Sequence, residues 1–114
     1  MAEGIVKESQ IVINVGLDEN NVPEEIQWQA SDTEKEKECK AMMLAVWDGD
    51  SRDTLRIDLW NKDMQVDEMK IFMHQAMHTM ADTFERATGE QEMAMSMRDF
   101  CDYFAEKMGL KEPS

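Results

Sequence analysis

Residues Asp53 to Phe72 read DTLRIDLWNKDMQVDEMKIF, and the fold turns on this stretch. Leu55, Ile57 and Leu59 alternate with Arg56, Asp58 and Trp60, the period-two pattern of a half-buried strand with the aliphatic residues inward. The period then changes. Met69, Phe72 and Met73 open a stripe at spacings of three and four, as an amphipathic helix requires. Asp63 is placed to cap that helix, and Asp67 and Glu68 suit the positive end of its dipole. Strands therefore precede this point and helices follow it.

Toward the N-terminus, Ile11, Ile13, Val15 and Leu17 share one side of a strand, with Val12, Asn14 and Gly16 on the other. Asp18 to Pro23 (DENNVP) is a turn in which Asn20 and Asn21 tolerate left-handed backbone. Ile26, Trp28 and Ala30 then point inward from a second strand that closes a hairpin on the first. A charged connector, Ser31 to Glu38 (SDTEKEKE), leads to a third strand over about Cys39 to Asp48. This strand is apolar on both sides, as for a central strand or one whose second side meets something else. Asp48 to Asp53 (DGDSRD) turns into the fourth strand.

Toward the C-terminus, the first helix carries Met69, Phe72, Met73, Ala76, Met77, Met80, Ala81 and Phe84 on one stripe, and Gly89 stops it. A second helix, about Glu90 to Met108, repeats the pattern with Met93, Met97, Phe100, Cys101, Phe104, Ala105 and Met108, and Gly109 ends it. The order β-β-β-β-α-α with short connections predicts an α+β fold, a four-stranded antiparallel sheet with the two C-terminal helices packed on one face. The expected organisation is a disordered segment over residues 1–8, one α+β domain over 9–110 and a short tail over 111–114.

The 114 residues carry 25 acidic and 12 basic side chains, a net charge of −13. That field repels phosphates and anionic lipid heads, so nucleic acid and membrane insertion are both disfavoured. The first ten residues, MAEGIVKESQ, lack the basic and long apolar segments of a secretory leader, which predicts a cytoplasmic chain. In that compartment Cys39 and Cys101 are expected as free thiols.

Motifs for chemistry are sparse. His74, His78 and Asp82 form a ladder at intervals of four, with Glu85 nearby, but one helix side cannot close a shell around a metal. Asp48, Asp50 and Asp53 miss the spacing of a calcium loop, because Arg52 stands at its fifth position. There is no GxSxG and no glycine-rich phosphate loop. Cys101 lies on a core stripe, and Cys39 has only Lys40 beside it to lower its pKa. No catalytic residue, metal ligand or cofactor is assigned, and the chain is expected not to be an enzyme.

Two features point to binding. Twelve methionines occur, most of them in the helices, where their flexible side chains fill irregular apolar shapes or present an adaptable surface. Other apolar residues miss the core stripes. Trp60 points away from Leu55, Ile57 and Leu59, joined by Val12 and by either Met43 and Trp47 or Met42 and Val46. Ile71 and Met95 fall on the outer sides of their helices. Trp47, Trp60, Met43, Val12, Ile71 and Met95 are therefore the candidate surface for a protein partner or for self-association.

Four segments carry a family resemblance: LDENNVPEEIQW (17–28), LAVWD (44–48), TLRIDLW (54–60) and KDMQVDEMKIF (62–72). Together they resemble the gliding-motility-associated GldC family, over about Ile11 to Gly109. The resemblance implies a cytoplasmic, non-enzymatic accessory acting by protein–protein binding within the gliding or its associated secretion machinery. It carries no catalytic motif. A second outline, four strands followed by two helices on a very acidic chain, is similar in element order to the SecB export chaperone, and makes a small holdase the alternative.

Overall fold

The computed structural model describes residues 4–32 and 35–110. Met1 to Glu3 of the expected N-terminal segment and the expected tail at 111–114 lie outside the described residues. The chain is mixed α+β. Among the described residues, five strands, β1 (Ile11–Leu17), β2 (Pro23–Ala30), β3 (Lys37–Cys39), β4 (Ala41–Asp48) and β5 (Asp53–Trp60), precede two helices, α1 (Val66–Thr88) and α2 (Gln91–Lys107). It divides after Met64 into two compact units, one of strands and one of helices.

In the strand unit β1, β2 and β3 form one antiparallel sheet, and β4 and β5 form a separate two-stranded ribbon. This corrects the expected single four-stranded sheet. The third strand is broken at Lys40. Cys39 joins Lys37 and Glu38, expected in the charged connector, in β3, which pairs with β2 and sets Ile26 opposite Cys39; the remaining eight residues form β4 and pair with β5. Continuing the first ladder would set Glu25, Glu24 and Pro23 opposite Lys40, Ala41 and Met42, where Pro23 has no N–H to donate. Like charge collects at the same place. The hydrogen bond and repulsion from Glu38, with lesser repulsion from Glu24 and Glu36, push the Glu25 carboxyl above its usual range. The Lys40 carbonyl instead accepts the Asn61 N–H at 2.8 Å, which anchors the end of β5 beside the break.

The face shared by Ile11, Ile13, Val15 and Leu17 packs only at its centre: Ile13 and Val15 are half-buried, whereas Ile11 and Leu17 at the ends of β1 are exposed. Val15, Ile26 and Cys39 stand in one row across the three strands, and Ile13, Trp28 and Lys37 in the next. Ile26 is fully buried, and the Lys37 ammonium lies 5.7 Å from the Trp28 ring centre. Asn21 adopts the expected left-handed backbone, with φ 63°.

The β1–β2 turn is clasped to the chain just beyond β5. The Asp18 carboxylate meets the Lys62 ammonium at 2.6 Å and accepts the N–H groups of Asn20 at 2.8 Å and Val22 at 3.0 Å. The Lys62 bond, then the two N–H groups, lower its pKa from 3.8 to about 2. A folded value below the unfolded one adds stability that is complete above the unfolded value and fades as pH falls through the folded one. Asp18→Asn should therefore melt below the native protein near neutral pH, and the two melting curves should converge as pH falls from about 4 toward about 2. A gap that is the same across that window would exclude the clasp.

In the helical unit the boundaries agree with the expected ones to within a few residues, except that Gln65 rather than Asp63 is the N-cap of α1. The Glu68 carboxylate reaches back to the Gln65 N–H at 3.0 Å, half of the reciprocal arrangement that ties up free N–H groups at a helix start. Gly89, with φ 72°, ends α1 in the left-handed region, where a Cβ would be strained. Ala81, Ala94, Cys101 and Ala105 are fully buried and form a seam of small residues along which the antiparallel helices meet. Arg98 bridges one side of the pair, to Asp82 at 2.9 Å and Glu85 at 2.8 Å.

Candidate functional site

The β4–β5 ribbon carries the largest departure from the expected burial. Its register pairs Met42, Leu44 and Val46 with Leu59, Ile57 and Leu55, so one face is apolar as far as the Asp48–Asp53 pair at the tip. This is the face expected to be inward, yet Leu55 is 60% and Ile57 53% exposed, with Leu44 and Val46 also open to solvent. Leu59 and Met42 are half-buried, near the Lys40 break. The alternation was read correctly, but the burial expected for Leu55 and Ile57 is corrected. Period two reports which side chains share a face, not whether anything covers it.

The opposite face settles which residues accompany Trp60. The pairs Ala41 with Trp60, Met43 with Asp58, Ala45 with Arg56 and Trp47 with Thr54 put Met43 and Trp47 on its side, rather than Met42 and Val46. Trp47 is 62% and Trp60 56% exposed. They stand at opposite ends of the ribbon, six residues apart in register, roughly 20 Å at 3.3 Å per residue. Between them Arg56 and Asp58 form an ion pair at 3.0 Å. The indoles are thus two separate anchors with a charged midsection. Val12, also exposed, lies in the other sheet, opposite Gln29 on β2. Ile71 and Met95 are exposed in the helical unit, on α1 and α2 respectively.

The tip of the ribbon is a tight turn. The Asp48 carboxylate accepts the Ser51 hydroxyl at 2.6 Å and its N–H at 3.2 Å, and Arg52 takes left-handed backbone with φ 59°. These bonds lower the Asp48 pKa. The carboxylate that a calcium loop would use first is thus engaged in holding the hairpin together.

The residues with chemical potential have structural partners. The His74 ring stacks on Phe104 with centres 6.3 Å apart and planes 12° apart, while His78 lies 6.3 Å from His74 at a 59° tilt. Asp82, the third rung of the ladder, is held by Arg98, which lowers its pKa. Among the described residues no group of three His, Cys, Asp or Glu side chains is arranged to hold a metal. Both cysteines are free. Burial raises the Cys39 thiol and outweighs the Ala41 N–H beside it. Burial, then the Asp102 charge, raises Cys101. Both shifts disfavour the reactive thiolate.

Sequence reasoning missed two surfaces. One is the aliphatic ribbon face; the signal for it was a third strand apolar on both sides. The other is a groove of about 330 Å³ along the helix pair, lined by methionine and phenylalanine. Its lining was assigned to the core because an amphipathic stripe was expected to be covered. No helix of the described residues is long and apolar enough to cross a membrane.

No curated protein and no solved structure matches the chain. A family model does, that of the gliding motility-associated protein GldC-like family, over residues 23–110. The match runs from the start of β2 past the end of α2 and includes the whole ribbon; residues 17–22 of the first resembling segment lie outside it. On a match of that extent, the chain belongs to the GldC-like family of gliding motility-associated proteins.

Proposed function

We propose that this protein is a non-enzymatic, cytoplasmic accessory of gliding motility that acts by binding another protein of the gliding or associated secretion machinery through its β4–β5 ribbon. The observation that carries the reading is the solvent-facing aliphatic row Leu44, Val46, Leu55 and Ile57, backed on the reverse face by Trp47 and Trp60. A two-stranded ribbon is only marginally stable in water, and one with an open aliphatic row on one face and two open indoles on the other gains most from a partner. Exposed indoles are the side chains that most often dominate an interface. The net charge of −13 favours a basic protein surface and opposes nucleic acid.

The test is crosslinking in cells with a tagged full-length chain. Trp60→Ala and Leu55→Ser should each reduce recovery of a motility component about tenfold, while far-ultraviolet circular dichroism stays unchanged. Recovery equal to that of the native chain would remove the ribbon from the interface. The holdase alternative is favoured by how widely the exposed apolar residues are spread, from Val12 to Met95. Suppression of aggregation of unrelated unfolded clients at low stoichiometry would select it.

A further inference from the structure

We infer that the groove of the helix pair is a second binding site, and that its occupant is a basic amphipathic helix of a protein partner. Met77 and Met80 on α1 face Met93, Met97 and Phe100 on α2, and Cys101 lies at the floor. Met80 and Met93 are more than half exposed, so the lining is accessible to a ligand. Unbranched, polarizable thioethers adjust to side chains of different shape, and an elongated groove between helices fits a helix presenting anchors at i, i+3, i+4 and i+7.

Charge selects among occupants. Ser96 lines the groove on α2, and Glu92 and Asp99 stand one turn to either side of it. Among the described residues, neither takes part in an ion pair. Arg98, the cation nearest to them on α2, is already held by Asp82 and Glu85. An incoming helix with apolar anchors and flanking Lys or Arg would satisfy both the lining and the rim. A second copy of a chain with net charge −13 would bring further acid to an acidic rim.

The probe is a synthetic peptide of about 18 residues, with Leu at the anchor positions and Lys elsewhere, titrated by calorimetry into the full-length protein. Binding should weaken about tenfold or more in Met80→Glu and in Met93→Glu. It should be unchanged in Val66→Glu, an exposed position at the start of α1 that does not line the groove. Glu92→Lys with Asp99→Lys should weaken binding and lessen its salt dependence between about 0.05 and 0.5 M. Unchanged helical circular dichroism keeps the variants comparable. The inference fails if the peptide does not bind, if a peptide with Glu for Lys binds equally well, or if Val66→Glu weakens binding as much as Met93→Glu. It fails equally if the native protein sediments as a dimer that Met93→Glu dissociates, because a second copy then occupies the groove.

Discussion

Ile26→Ala is expected to lower stability by about 2–5 kcal/mol, the range for truncating a fully buried aliphatic side chain. Ile26 is 1% exposed and is the largest side chain of the strand unit to be so completely enclosed. It stands between Val15 and Cys39 at the centre of the three-stranded sheet, where the neighbouring strands cannot close a cavity without breaking register. The loss should appear as a lower urea midpoint with an unaltered slope. Ile26→Val, which removes one methylene, should cost about 0.5–1.5 kcal/mol. If both variants kept the native midpoint, the sheet would not be organised around this row. Ribbon variants such as Leu55→Ser should leave the midpoint nearly unchanged, because their side chains are already in water.

Ala94→Leu is the second large effect, and it acts by overfilling. Ala81, Ala94, Cys101 and Ala105 leave room for only a close approach of α1 and α2. Three added carbons at the seam must push the helices apart or force strained rotamers, at about 1–3 kcal/mol. Separation would also draw Arg98 from Asp82 and Glu85 and His74 from Phe104. Helical circular dichroism should melt at a lower temperature, whereas Met95→Leu, a swap of similar volume in water, should change little. Equal melting of Ala94→Leu and the native chain would mean that the helices do not meet along these alanines.

Much of the secondary structure was legible because local rules govern it. Alternation located four strands, Gly89 marked the end of α1, and the DENNVP and DGDSRD stretches were read as turns. What escaped depends on partners distant in sequence. The break at Lys40 accompanies a change of partner, from β2 for Cys39 to β5 for Ala41, which local periodicity does not contain. The Asp18–Lys62 clasp joins groups 44 positions apart, and the Arg98 bridge depends on how α2 lies along α1. For the candidate surface, the sequence identified Trp60 as an outlier and left open whether Met43 and Trp47 or Met42 and Val46 share its face; the register gave Met43 and Trp47. The aliphatic side of the ribbon was visible as a pattern, but its exposure was not, because a hydrophobic row looks the same whether it meets a core or a partner.

The order of pairing has a kinetic consequence. Each strand ladder joins consecutive elements, β1 to β2, β2 to β3 and β4 to β5, and α1 meets α2 directly after it. No ladder has to wait for a remote segment to arrive, so little loop entropy is spent before each contact is rewarded. A chain wired in this sequential way belongs with the quick folders, and its elements can assemble in the order in which they are synthesised.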